Sequence, residues 1–169
     1  MGMRHRPRAV PLARPRGRSA MLTWNRILCA VDFSEASREA KDVAADVARR
    51  CEGELTLVHV AMPPVPTAGD LLVSEADLSR TSAEQARFAL EGWRESAEAR
   101  AERPVKAIVL VGSPAQEVVR QARDEQADLL VVSTHGRTGL ARLVLGSVAE
   151  QILRHAPCPV LAVKPRERT

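Results

Sequence analysis

Hydroxyl-bearing, basic and glycine residues gather behind one apolar run in the C-terminal third of the chain. Directly after the run 129–132 comes the heptapeptide STHGRTG (133–139), and Gly146 and Ser147 follow Gly136 after nine intervening residues. Glycines let backbone N–H groups approach an anion closely, and a helix N-terminus carries about half a positive charge. The pattern predicts a two-part anion site. Its phosphate-binding side chains would be those of Thr134, Arg137, Thr138, Arg142 and Ser147.

The same residues also fit a structural interpretation. Gly136 and Gly139 would then be turn glycines, and Ser147, three residues before Glu150, would be the N-cap of the last helix. The local sequence leaves both interpretations open. A serine at a helix start can serve both, as a cap in the empty site and as a phosphate ligand in the filled one.

Five apolar runs that could support such a site predict β-strands. Most are apolar on both faces, which is typical of parallel strands covered by helices on each side. The segments between them have apolar residues at helical spacing. Alternating strands and helices predict an α/β fold with a doubly wound, five-stranded parallel sheet and helices on both faces. The predicted strands are residues 27–31, 55–60, 105–111, 129–132 and 160–163.

Glycine, proline and serine mark the expected element boundaries. Gly53 is expected to end the first helix, and Pro157 the last. Ser113 and Pro114 read as the N-cap and first residue of a helix. Residues 62–80, which contain Pro63, Pro64 and Pro66 near their start, are expected to form one long irregular connection.

Ligands of doubly wound sheets bind beyond the carboxyl ends of the strands, where the strand order reverses. Asp32 lies at such an end, and two interpretations of it stay open. Its carboxylate either contacts a ligand or caps the turn into the first helix, since Ser34 and Glu35 follow. The other positions expected at this edge are Val60, Gly112 and residues 133–147.

Composition excludes several function classes. The 169 residues suit one domain. Aromatic residues are scarce, with two phenylalanines, two tryptophans and no tyrosine, which disfavours nucleic-acid binding by base stacking. Three cysteines without a CxxC pair indicate a reduced, cytoplasmic protein, and no apolar run approaches the ~20 residues of a membrane span. We also find no GxxxxGK loop, no GxGxxG and no cluster with zinc spacing.

The basic character of the chain belongs to its N-terminal tail. Residues 1–20 contain six arginines and no acid, so the formal net charge of +4 becomes 4 − 6 = −2 without them. We expect residues 1–22 to be a disordered basic tail and 23–169 to be the domain. The tail could contact RNA or anionic lipid or act in targeting; a start codon assigned too early, with Met21 opening the protein, explains it equally.

Three spaced motifs resemble the universal stress protein family. They are ILCAVDFSEAS near the start, Val111-Gly112-Ser113-Pro114 in the middle, and STHGRTGLARLVLGSVAEQILRHAPCPVLAV at the end. The resemblance covers nearly all of residues 24–165. It implies strand order 3-2-1-4-5 and ATP as ligand, with Mg²⁺ as a companion of its phosphates. The binding residues it implies are Ala30, Val31, Asp32, Val60, Val132, Ser133, Thr134, His135, Gly136, Arg137, Thr138, Gly146, Ser147 and Val148.

Ser133 departs from the family pattern, because the nucleotide-binding members have glycine at the matching position. If that position requires a positive φ, serine costs about 1–2 kcal/mol there. We expect no catalytic residue: His59 and His135 have no partner nucleophile in a recognisable motif. Any ATP hydrolysis should therefore be slow.

The resemblance implies a homodimer formed through the last strand and Lys164, residues 160–164, which should lie at a sheet edge. Alternatively Lys164, Pro165 and Arg166 blunt the edge of a monomer. The function implied is an ATP-binding regulatory module of the stress response. The alternatives are an interaction protein of the same fold that binds no nucleotide, and an ATP-dependent enzyme, for which the length leaves little room.

Overall fold

A computed structural model of the protein describes residues 24–62, 75–135 and 145–165. The predicted basic tail and the predicted site residues Gly136, Arg137 and Thr138 lie outside these ranges.

Strands and helices alternate along the chain. The order is β1 (Arg26–Ala30), α1 (Glu35–Cys51), β2 (Glu54–Ala61), α2 (Glu75–Ala101), β3 (Val105–Val111), α3 (Pro114–Asp124), β4 (Leu129–Ser133), α4 (Ser147–His155) and β5 (Val160–Val163). All strand pairs are parallel and the sheet order is β3-β2-β1-β4-β5. The predicted fold class and strand order are confirmed.

Successive strand residues point to opposite faces, so each face of the sheet has its own core. On one face Ile27 and Leu57 pack with small residues of α1 and with Leu90 of α2. On the other face Leu28 packs with apolar residues of α3 and with Ile152 of α4. Because both faces are buried in helices, the strands need the continuous apolar runs seen in the sequence.

Strand order reverses beside β1. From β1 the chain winds outward through β2 to β3, then crosses back to place β4 on the other side of β1 and β5 beyond it. The loops after β1 and β4 therefore diverge to opposite faces and leave a crevice between them. The prediction that β5 lies at a sheet edge is confirmed.

Two predicted boundaries were wrong. Helix α1 ends at Cys51 and its C-cap is Glu52 rather than Gly53, because Glu52 itself adopts the left-handed conformation with φ 55°. Position 53 requires glycine for a steric reason instead, since a Cβ there would lie 2.1 Å from the Trp24 carbonyl oxygen. Residues 75–80, expected to be irregular, are the first part of α2, because they contain no proline and continue the helical segment that follows.

No helix within the described ranges combines the length and apolar character needed to cross a membrane.

Candidate functional site

A cavity of about 310 Å³ opens at the carboxyl ends of β1, β2 and β4, between the starts of α3 and α4. Its walls are largely apolar, formed by Ala30, Val58, Val60, Val118, Val132 and Ile152. Polar groups also line it, contributed by Asp32, Ser133, Thr134, His135, Gly146 and Ser147. A largely apolar cavity with a few polar groups suits a ligand that has a flat apolar part and a polar or anionic part.

The turn after β1 presents Asp32 to this cavity. Asp32 Oδ1 accepts hydrogen bonds from the Ser34 amide at 3.0 Å and from Ser34 Oγ at 2.6 Å. Ser34 is the N-cap of α1, and its Oγ also accepts from the Ser37 amide at 3.1 Å. The carboxylate therefore has the turn-supporting role that was one interpretation of the sequence. It also lines the cavity, as the other interpretation requires.

Ser133 ends β4 and pairs with Val163 of β5. It has ordinary strand conformation and is not among the described residues with positive φ. The steric cost considered for serine at this position therefore does not arise. Its Oγ donates to the carbonyl oxygen of His135 at 2.7 Å, which stabilises the strand end.

Thr134 and His135 continue the chain from β4 along the cavity wall. The Thr134 amide donates to the carbonyl of Val163 at 2.9 Å, and Thr134 Oγ1 lies 2.9 Å from His135 Nδ1. Both side chains thus have a structural partner close to the cavity.

Helix α4 begins at the cavity with Gly146 as its N-cap. The expectation that Ser147 would be the N-cap was wrong. The Gly146 amide donates to the carbonyl oxygen of Thr134 at 2.9 Å and holds residue 146 at ψ 146°, outside the helical range. Ser147 consequently occupies the first helical position, and the first intrahelical bond runs from the Glu150 amide to Gly146.

This helix start is suited to bind an anion. The amides of Ser147, Val148 and Ala149 precede the first intrahelical bond and have no acceptor within the helix. All three residues line the cavity. Their N–H groups and the helix dipole give this end of the cavity a positive potential.

The binding residues implied by the resemblance line this one cavity wherever the structure describes them, whereas Gly112, also expected at this edge, is not among the lining residues. The sequence did not indicate the remaining lining residues, which come from α3, from α4, from β2 and from the residue after it. These residues are Val58, His59, Met62, Pro114, Val118, Ala149 and Ile152. Most look like ordinary core residues, so only their location beside the strand ends could have identified them.

Ser113 is the N-cap of α3, as predicted, although its side chain makes no capping hydrogen bond.

Two of the described cysteines are held in the protonated thiol form. Burial raises the pKa of the Cys29 thiol to about 12, and Cys29 is fully buried. Burial and the nearby carboxylate of Asp128 also raise the pKa of Cys158. No group of three or more His, Cys, Asp or Glu side chains in the described ranges is placed to hold a metal ion.

Similar proteins point to one family. The sequence model of the Universal stress protein family matches residues 23–164. A relative named as a universal stress protein in Staphylococcus saprophyticus is 35% identical over 148 residues, covering 87% of each chain. Universal stress protein UspA from Lactobacillus plantarum has a similar structure, with a TM-score of 0.73 and 24% identity over 83% of this chain and 97% of its own.

Two further similar structures are described with nucleotides. A universal stress protein in complex with cAMP has a TM-score of 0.63 and 24% identity, covering 83% of this chain and 97% of its own. A universal stress protein from Archaeoglobus fulgidus in complex with dAMP has a TM-score of 0.60 and 22% identity, covering 85% and 100%. The fold is shared with both. With the family match spanning most of the sequence, this chain belongs to the universal stress protein family.

Proposed function

We propose that this chain binds an adenine nucleotide, ATP, in the cavity at the strand ends, and that it acts as a regulatory module of the stress response in the cytoplasm. The observation that carries the proposal is the pairing of an apolar slot with the N-terminus of α4. The two similar proteins described with cAMP and dAMP support the ligand class. Within the class of adenine nucleotides, we propose ATP as the ligand of this chain.

The adenosine part fits the apolar end of the cavity. A volume of about 310 Å³ is at the lower end for small-molecule sites, which suits a nucleoside rather than a whole triphosphate. Asp32 is best placed toward ribose hydroxyls or the adenine amine, because a carboxylate accepts their hydrogen bonds and repels phosphate.

The phosphates belong at the opposite, positive end. There the amides of Ser147 and Val148 would bind phosphate oxygens beside Gly146, whose own amide donates to Thr134 and whose missing side chain leaves room for the ligand. Gly136, Arg137 and Thr138 of the predicted motif would join them. Mg²⁺, where present, would be held by the phosphates rather than by a carboxylate cluster of the protein.

Hydrolysis should be slow or absent, since Nδ1 of His59 lies 2.8 Å from the Val31 carbonyl oxygen and Nδ1 of His135 lies 2.9 Å from Thr134 Oγ1, so that both nitrogens have hydrogen-bond partners within the protein. The protein would then signal by whether its site is filled with nucleotide or empty.

We further propose that residues 23–169 are the functional domain. We also propose that the β5 edge, where Ala162 is exposed, pairs with a second copy of the chain.

Direct nucleotide analysis tests the proposal. The full chain is purified without added nucleotide and denatured, its supernatant is assayed for adenine nucleotides, and a second sample is titrated with ATP by calorimetry. We expect near-stoichiometric bound nucleotide or a micromolar Kd, and no heat with tripolyphosphate alone at equal concentration. A protein that is empty and gives no heat with ATP would contradict the proposal and favour a nucleotide-free interaction protein of the same fold.

A further inference from the structure

His59 is a buried histidine on β2 with a defined hydrogen-bond partner. Only 9% of its surface is exposed, and its Nδ1 lies 2.8 Å from the carbonyl oxygen of Val31. A carbonyl oxygen can only accept, so Nδ1 carries the proton and donates. Removing a buried donor of this kind is costly, because the carbonyl oxygen is then left without a hydrogen-bond partner in a place that water does not reach.

The bond lies where β1 leaves the sheet. Register between β1 and β2 ends at Ala30 and Val58, followed by one more backbone bond, from the Val31 amide to the Val58 carbonyl at 2.9 Å. Past this point the partner of the Val31 carbonyl oxygen is the imidazole of His59. The side chain thus extends the attachment of β1 to β2 by one residue, into the turn that carries Asp32.

The same imidazole contacts the turn a second time, at Phe33. Phe33 has φ 64°, a left-handed conformation that is strained for a residue with a Cβ. Its ring centroid lies 4.3 Å from that of His59 and 5.5 Å from that of Trp93 on α2. These ring contacts offset the strain and keep the turn in its unusual conformation.

We infer that His59 is a positioning residue for the ligand site: by holding Val31 through its Nδ1–H and Phe33 through its ring, it fixes the direction of the Asp32 carboxylate between them. The inference deepens the proposed function and rests on it only in naming ATP as the ligand. The site requires a rigid support at this position, because an acceptor displaced by about 1 Å no longer makes a good hydrogen bond to the ligand.

Three variants of the full chain test the role. In His59→Leu both the donor and the ring are lost. In His59→Asn the amide nitrogen occupies nearly the position of Nδ1, because both are attached to Cγ, so the bond to Val31 can re-form. Thr56→Val is the matched control, since Thr56 is a buried polar residue on the same strand, at the end remote from the cavity.

Two readouts are combined: ATP affinity by calorimetry, and hydrogen exchange of the amides of Asp32 and Ser34, which donate to Ser37 Oγ and Asp32 Oδ1. We expect His59→Leu to bind ATP about tenfold more weakly and to exchange these amides about tenfold faster. We expect His59→Asn, which keeps the bond to Val31 but lacks the ring, to show clearly smaller losses than His59→Leu, and Thr56→Val to show neither loss.

Wild-type exchange at Asp32 and Ser34 in the His59→Leu variant would overturn the inference, as would equal losses in the Asn and Leu variants. If wild-type protein fails to bind ATP, the proposed function fails, and the exchange data alone then decide the positioning role of His59.

Discussion

The amide nitrogen of Gly146 lies 2.9 Å from the carbonyl oxygen of Thr134, and this bond ties the start of α4 to the end of β4. It sets which residue is the N-cap, and so directs the first amides of α4 toward the cavity beside the strand ends. The heptapeptide 133–139 and the Gly146-Ser147 pair, which are distant in sequence, are thereby joined through Thr134 and Gly146.

Gly146 can be changed without straining the backbone, since its φ of −59° and ψ of 146° suit any residue. We expect Gly146→Leu to lose about 1 kcal/mol of stability through the poorer N-cap, and to lose the rise in Tm that ATP produces, because the side chain fills the phosphate end. The control is Gly92→Leu, where a Cβ meets nothing within 4 Å. Thermal unfolding with and without ATP measures both; a full ATP response in Gly146→Leu would contradict the proposed phosphate position.

Asp32→Asn separates the two roles of this residue. The amide oxygen can still accept from Ser34, so the turn should persist and Tm should change little. ATP affinity of the variant should fall about tenfold relative to wild type, because a hydrogen bond to a charged acceptor is lost. Parallel calorimetric titrations make the comparison. An unchanged ATP affinity would limit Asp32 to supporting the turn.

Ser133→Gly tests whether the serine weakens nucleotide binding. Because Ser133 has ordinary strand conformation, glycine offers no relief of strain there. We expect ATP affinity within about threefold of wild type and a loss of about 1–2 kcal/mol of unfolding free energy, from backbone entropy and the lost bond to His135. Urea unfolding and calorimetry measure the two quantities. A gain of affinity above about tenfold would show that serine obstructs the ligand.

Cys29 should make stability depend on alkaline pH. Burial raises its pKa from the ordinary 9.0 to about 12, so the unfolded chain releases this proton at a lower pH than the folded protein. The stabilising contribution is full below pH 9 and falls as pH rises from 9 toward 12. In urea unfolding between about pH 8 and about pH 10.5, wild type should lose more stability than Cys29→Ala, although the variant starts less stable. Equal slopes would contradict the raised pKa.

The sequence located the site more accurately than it described the site's local structure. Apolar runs without alternation indicated buried parallel strands, and in such a sheet the residues after β1 and β4 must share one edge. Asp32, Ser133 and Ser147 could therefore be placed together before any coordinates. The helix-forming residues after position 74 were missed, because the prolines at 63, 64 and 66 dominated the prediction for the connection.

By itself the sequence determined the layers of this protein, its family and the edge of the sheet where the cavity lies, because these depend on hydrophobic periodicity and on motifs read locally. Only the tertiary structure decided that Gly146 rather than Ser147 caps α4, that Ser133 is unstrained, and that His59 holds Val31, a residue 28 positions away. Each depends on which backbone groups the packed strands and helices bring within about 3 Å, and that is fixed by strand register and packing rather than by residue type alone.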